Sequence, residues 1–156
     1  MNKLTIAASL LFSSAVLIGC GTDDSGSGDV DMSQTLTGTV GGQTWTFAAG
    51  ETNAFLSEGE DDFFAEFYPT AYTQCGFSAP TGDHLIVSIP KTPGEYEMSL
   101  GRNMTFVVGD SENLVSFEGK IIVDEVSATS VKGGLVGSYD GNNKVNGAFE
   151  LKICED

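Results

Sequence analysis

Hydrophobic and polar residues alternate along most of the chain beyond its first 35 residues. The clearest example is the final segment, in which every second residue is apolar or small: Val145, Gly147, Phe149, Leu151 and Ile153. The residues between them are polar or small: Asn146, Ala148, Glu150 and Lys152. Successive side chains of a β-strand point to opposite faces, so this period of two predicts a strand with one buried face. A similar pattern runs through residues 84–89 and stops at Pro90.

Turn residues separate the alternating segments. Gly41-Gly42 lies between residues 36–40 and 44–47, which predicts a tight hairpin. Gly101-Arg102-Asn103 separates residues 96–100 from 104–108 and predicts a second hairpin.

The last two strands are predicted to be joined by the turn Asp140-Gly141-Asn142-Asn143. In the strand before this turn, Val131, Leu135 and Tyr139 are expected to share one face. About eight to eleven short strands with almost no helical periodicity predict an all-β fold. We expect an antiparallel β-sandwich, or alternatively a small β-barrel.

One segment is apolar on both faces. In residues 63–68, alternation places Phe63 and Phe67 on one side and Phe64 and Tyr68 on the other. A central strand, or a strand covered by the next loop, accounts for this pattern. The alternative is an exposed aromatic face made of Phe64, Tyr68 and Tyr72, which would bind a glycan or a protein of the cell envelope.

The first twenty residues have the features of an export signal. Lys3 precedes an apolar run from Leu4 to Ile18, which is shorter than the roughly 20 residues that span a bilayer. The run ends in Leu17-Ile18-Gly19-Cys20, which resembles the lipobox of bacterial lipoproteins. The resemblance implies a signal peptide at residues 1–19, cleavage before Cys20, and attachment of fatty acyl chains such as palmitate to Cys20. Two or more such chains give stable membrane anchoring.

The same resemblance sets the expected location and domain organisation. Gly21 rather than Asp follows Cys20, which in this class of proteins favours the outer membrane of the cell envelope. Residues 20–35 are rich in Gly, Ser and Asp, so we expect the lipidated Cys20 and a flexible tether there. The β-sandwich domain is then expected at residues 36–156. The segment from Gly133 to Cys154 also resembles the end of small β-sandwich lipoproteins.

The charge of the chain excludes one class of partner. The sequence has 22 acidic residues against seven basic ones, and loss of Lys3 with the signal leaves a formal charge of −16. Such a surface repels phosphate backbones, so nucleic-acid binding is not expected.

Two cysteines remain once Cys20 is assigned to lipid. An even pair in an exported protein predicts a disulfide between Cys75 and Cys154, which would tie the end of the chain to the loop after Tyr72. Two free thiols or a metal site are the alternatives. A metal site has little support because His84 is the only histidine and the ligand spacing is absent.

Signals of catalysis are scarce. The sequence lacks the serine-hydrolase elbow, the zinc-protease helix motif and the phosphate-binding loop. We therefore predict a non-enzymatic binding or structural role, with no catalytic residue, metal or cofactor assigned. The alternative is a small envelope hydrolase that uses carboxylates, or His84 with Asp83. The acidic cluster at residues 58–62 is interpreted as a solvated turn; Ca²⁺ binding is the alternative, although the spacing matches no EF-hand loop.

Overall fold

A computed structural model describes residues 28–76, 78–109 and 111–155, and this part of the chain is nearly all β-structure. It contains eleven strands and a single helical turn. The elements are β1 (Thr37–Val40), β2 (Gln43–Thr46), β3 (Ala49–Asn53), α1 (Ala54–Ser57), β4 (Asp62–Tyr68), β5 (His84–Pro90), β6 (Gly94–Glu97), β7 (Met104–Val108), β8 (Glu112–Ser116), β9 (Gly119–Val126), β10 (Ser130–Asp140) and β11 (Asn143–Lys152). The predicted all-β class is confirmed.

The strands form one sheet that curls into an open half-barrel. The order across the sheet is β6-β9-β10-β11-β3-β4-β5-β7-β8, and β1 pairs with both β11 and β2. The pairings are antiparallel except that Lys152 of β11 lies parallel to Glu51 of β3. Curling brings β8 back toward β10, where the buried Ser116 hydroxyl donates a 2.5 Å hydrogen bond to the carbonyl of Ser138.

The concave side of the sheet encloses one hydrophobic core. Its largest fully buried side chains come from strands on both sides of the curl: Phe67, Phe106, Leu36, Leu85, Ile89, Met104, Ile121, Leu135 and Leu151. The rings of Phe47 and Phe149 lie 5.5 and 5.3 Å from the ring of Phe67. Burial of these side chains is the main source of stability, because each contributes roughly 1.5–3 kcal/mol.

The hairpin predicted around Gly41-Gly42 is confirmed. β1 and β2 pair in antiparallel register, and the two glycines have φ values of 58° and 76°. Positive φ at both central residues is what a tight hairpin turn requires, and glycine adopts it without strain. The alternation in β11 is also confirmed, since Val145, Gly147, Phe149 and Leu151 all face the interior.

Tyr139 departs from the predicted pattern. Val131 and Leu135 are fully buried, whereas Tyr139 is half exposed. The register between β10 and β11 shifts between Ser138 and Asp140. Such a β-bulge turns the following side chains away from their expected face, and this accounts for the exposed ring.

The second predicted hairpin is wrong. β6 pairs with β9 rather than with β7, and β7 lies between β5 and β8. The turn around Gly101 closes only through reciprocal backbone hydrogen bonds between Ser99 and Arg102. Beyond this turn the chain crosses to the opposite half of the sheet, so the turn joins two non-adjacent strands.

The folded part of the chain begins before the predicted boundary at Leu36. The backbone NH of Asp31 donates to the side-chain oxygen of Asn146, and the Asn146 amide donates to the carbonyl of Asp29. Thr35 forms a parallel bridge with Ala148. The expected tether is therefore shortened, because these residues are held against β11. The predicted signal peptide at residues 1–19 and the lipidated Cys20 lie outside the described residues.

Candidate functional site

The convex face of strands β3, β4 and β5 carries the side chains that the sequence singles out. β4 lies between β3 and β5, as expected for a central strand. Its inward residues belong to the core, whereas Phe64, Glu66 and Tyr68 point to the other side. Glu66 lies directly opposite Glu51 of β3, and Phe64 lies opposite Ser88 of β5.

Tyr68 is covered rather than exposed. Its side chain is only 3% exposed although it lies outside the main core. The ring of Tyr72 meets it edge-on at 5.3 Å, and the His84 imidazole stacks on it at 4.9 Å. The predicted aromatic face of Phe64, Tyr68 and Tyr72 is thus not one continuous exposed surface. Phe64 and Tyr72 are each partly exposed, whereas Tyr68 is buried.

The covering segment is the strap, defined here as residues 69–76. The disulfide between Cys75 and Cys154 ties the strap to the residues after β11, with a Cα–Cα distance of 5.4 Å. The Cys75 backbone NH donates to the Glu51 carboxylate, and the Gln74 amide donates to the carbonyl of Gly50. Cys75 itself has a φ of 60°, which is uncommon outside glycine and marks a sharp turn. The predicted link between the chain end and this loop is confirmed.

Under the strap, two carboxylates face each other across adjacent strands. Burial raises the pKa of Glu66, and the nearby charge of Glu51 raises it further, while His84 and Tyr68 act in the opposite direction. Burial also raises the pKa of the Tyr72 hydroxyl, and Glu51 adds to this shift. That hydroxyl is buried and makes no hydrogen bond of standard geometry to the residues described. Like charges directly opposite each other in a sheet are unfavourable, so protonation of Glu66 relieves the pair.

The side chains of His84 and Asp83 contact different partners. The Nδ1 atom of His84 lies 2.7 Å from the carbonyl oxygen of Gly82, and its ring is stacked on Tyr68. The Asp83 carboxylate accepts a 2.8 Å hydrogen bond from the backbone NH of Gly109. Each side chain thus has its own structural partner. The Asp83 carbonyl also accepts the indole NH of Trp45 at 3.2 Å.

Glu51, Cys75 and Cys154 lie close enough together to suggest a metal site, but the disulfide prevents the cysteines from acting as ligands. One oxygen of Glu51 lies 3.6 Å from the Cys154 sulfur, and these atoms and the Cys75 sulfur fall within 4.8 Å of one another. The sulfurs are joined in a disulfide, so neither is a thiolate able to bind a metal.

Beyond the strap, the open end of the convex face contains a recess of about 280 Å³. Its walls are made by Leu56, Glu60, Asp61, Asp62, Phe63, Phe64, Ser88, Gly101 and Arg102. The acidic cluster predicted as a solvated turn therefore supplies one wall of this recess. Arg102 forms a two-point ion pair with Asp62, with N–O distances of 2.8 and 2.9 Å. This ion pair could not be predicted from the sequence pattern, because forty residues separate its members.

Hydrogen bonds hold the wall formed by α1 in place. The Asn53 side chain caps the helical turn by accepting from the Leu56 backbone NH at 2.9 Å. The buried Ser57 hydroxyl donates to the carbonyl of Asn53 and accepts from the NH of Phe64. The Lys91 ammonium group donates to the carbonyls of Ser57 and Glu60 at 2.6 and 2.8 Å. The recess is thus preformed.

Two strongly exposed apolar residues are chain neighbours of residues that line the recess. Phe55 is 76% exposed and Leu100 is 82% exposed, and each is the chain neighbour of a residue that lines the recess. Single exposed apolar side chains are common on protein surfaces, so neither residue by itself marks a contact surface.

Comparisons of the chain with family models, with curated proteins and with solved structures find no match. Within the described residues, no helix is long and apolar enough to cross a membrane.

Proposed function

We propose that this chain is a lipid-anchored protein of the bacterial cell envelope, located at the outer membrane, with a non-enzymatic binding role. The observation that carries the binding role is the preformed recess on the convex face, where Phe64 and Leu56 reach solvent beside charged side chains. Anchoring rests on the lipobox-like sequence Leu17-Ile18-Gly19-Cys20.

Anchoring is tested by detergent phase partitioning of the exported protein. The wild-type protein should enter the detergent phase, because two or more acyl chains on Cys20 give stable membrane attachment. Cys20→Ala should leave the protein in the aqueous phase. A wild-type protein that stays wholly aqueous would refute the anchor, and mass spectrometry of the mature N-terminus identifies the modification.

The binding role is tested by chemical-shift mapping of the lipidated protein in nonionic micelles. The ligands are neutral oligosaccharides and short peptides of varied charge. A binding role on the convex face predicts shifts at the amides of Phe64 and Ser88, and none along β8. If no ligand shifts these amides, the proposed binding role is wrong.

One observation favours the alternative of a carboxylate hydrolase. Glu66 has a raised pKa and faces Glu51, and glycosidases pair a carboxyl group of raised pKa with a second carboxylate. Against this reading, Glu51 accepts the NH of Cys75 and the strap covers neighbouring Tyr68. Hydrolysis of a glycoside panel that is abolished by Glu66→Gln would favour the enzyme.

We also infer that the two halves of the curled sheet face each other as the layers of a sandwich. A Cβ placed on Gly137 of β10 would approach the terminal methyl of Met104 of β7 to 2.3 Å, so these distant strands are in contact across the core. Hydrogen exchange tests the choice between sandwich and barrel. A closed barrel would protect every amide of the terminal strands β6 and β8, whereas an open sandwich leaves alternate amides of β8 unprotected.

A further inference from the structure

The disulfide that holds the strap is open to small molecules on one side. Cys75 is exposed on the strap, whereas Cys154 is half-buried beside β3. The backbone NH of Cys154 donates to the buried Thr52 hydroxyl at 3.1 Å, which holds the inner half of the bond in place. Thiol–disulfide exchange begins when a thiolate attacks one of the two sulfurs, and access helps to decide which one. A thiol in solvent therefore meets the Cys75 sulfur first.

Attack at Cys75 places new negative charge on Cys154. The incoming thiolate forms a mixed disulfide with the Cys75 sulfur, and the bond between Cys75 and Cys154 breaks. Its electron pair leaves on the Cys154 sulfur, which then takes a proton from water. A second thiolate attacks the small-molecule sulfur of the mixed disulfide and releases the Cys75 thiolate. Two small thiols are thus oxidised to their disulfide, and the protein gains two thiols.

A carboxylate lies where this negative charge develops. One oxygen of Glu51 lies 3.6 Å from the Cys154 sulfur, and the same oxygen accepts the backbone NH of Cys75. The hydrogen bond keeps the carboxylate beside the disulfide. Like charges at such a distance repel, and they repel more strongly at a partly buried site than in bulk water. The approaching thiolate and the leaving thiolate therefore both encounter an opposing charge.

Within the described residues, the Glu51 carboxylate forms no ion pair. Lys152 lies beside Glu51 in the register of β11 and β3, yet the two side chains do not come within ion-pair distance. The ion pairs of the described part of the chain are elsewhere, at Arg102–Asp62, Lys120–Glu97 and Lys132–Glu150. On β4, Glu66 places a second carboxyl group opposite Glu51. The charge of Glu51 is therefore not cancelled by a direct contact.

We propose that Glu51 makes the strap disulfide a charge-selective site of thiol exchange, which cationic and neutral thiols reduce faster than anionic thiols do. An anionic thiol brings a further negative charge toward Glu51 as it attacks Cys75, whereas a cationic thiol brings a charge of the opposite sign. Anionic thiols thus tend to leave the strap closed over Tyr68. The proposal does not depend on the binding role of the recess, so failure of one leaves the other standing.

The test measures how fast three small thiols reduce the disulfide of the lipidated full chain in nonionic micelles. The thiols are cationic aminoethanethiol, neutral mercaptoethanol and anionic mercaptopropionate. Each rate is divided by the rate of the same thiol with bis(hydroxyethyl) disulfide, a neutral reference that corrects for nucleophilicity and thiolate content. The corrected rates should fall in the order cationic, neutral, anionic. A rate independent of thiol concentration would mean that the bond is reached only after the strap opens, and would overturn the proposal.

Glu51→Gln tests the residue itself. Gln keeps an oxygen that can accept the Cys75 NH and removes the repulsion with Glu66, so the variant is expected to fold. The cationic and anionic thiols differ by two unit charges, and at roughly 8 Å from Glu51 in water this difference corresponds to about fivefold in rate. The ratio of their corrected rates should fall by about this factor in Glu51→Gln. Faster reduction by all three thiols with an unchanged ratio would mean that Glu51 only holds the strap, and would overturn the proposal.

Glu112→Gln is the matched control. It removes the same charge from an exposed carboxylate on β8, which lies four strands from β3 in the sheet, and should leave the ratio unchanged. A fall in the ratio equal to that in Glu51→Gln would assign the effect to the net charge of the chain and overturn the proposal. Salt gives a readout that needs no variant, because charges are screened beyond about 3 Å at 1 M. The wild-type ratio should then approach that of Glu51→Gln, and a ratio unaffected by salt would contradict the proposal.

Discussion

Removal of the Cys75–Cys154 disulfide is expected to be one of the most destabilising changes outside the core. The bond joins residues 79 positions apart in sequence. In the chain-entropy model, closing a loop of this length removes enough freedom from the unfolded chain to stabilise the fold by about 4.5 kcal/mol. Cys75→Ser/Cys154→Ser should lower the free energy of unfolding by this amount, and the melting temperature by roughly 15 °C.

Urea denaturation at pH 7 measures the effect. The double variant should also show a larger m-value, because an unfolded chain without the crosslink is more expanded and exposes more surface. Reduced wild-type protein is the matched control and should unfold like the variant. A second readout is the ultraviolet spectrum of the tyrosines, since release of the strap would expose the ring of Tyr68 in the folded state.

A fall of less than about 1 kcal/mol in the free energy of unfolding of the double variant, at an unchanged m-value, would contradict this prediction. Such a result would mean that the strap stays in place through its other contacts, namely the hydrogen bonds of Gln74 to Gly50 and of Cys75 to Glu51. It would also mean that the unfolded chain is compact enough to make the crosslink unimportant.

Three further changes test the packing and electrostatics of the sheet. Burial raises the pKa of Glu66, so the folded state binds a proton at this carboxyl group more tightly than the unfolded chain does. The free energy of unfolding therefore falls as pH rises above about 4.5, the ordinary pKa of Glu66. Glu66→Gln should therefore raise the melting temperature at pH 7 and flatten this pH dependence; identical profiles would contradict the assignment. Ser116→Ala removes the buried hydrogen bond to Ser138 and should cost about 1–3 kcal/mol in urea denaturation. Gly147→Ala should cost about 2–4 kcal/mol by the same assay, because Gly147 has a φ of 143° and its Cβ would approach the backbone of Leu36 to 2.6 Å; a neutral effect would exclude such close packing.

The parts of the fold that depend on local pattern could be predicted from the sequence. The alternation in β11 and the Gly41-Gly42 turn each reflect a preference of a few neighbouring residues. The pairing of β6 with β9 could not be predicted in this way, because it depends on contacts between residues far apart in the chain. The turn before β7 satisfies the same local signals whether or not the flanking strands pair.

The candidate site was predictable only in part, for the same reason. The aromatic pattern of β4 indicated a strand with two apolar faces, and a covering loop was one of its explanations. The sequence did not show that this cover would stop short of Phe64, because the strap is positioned by Glu51 and by the disulfide. Leu56 gave no signal, since α1 is a single turn without helical periodicity.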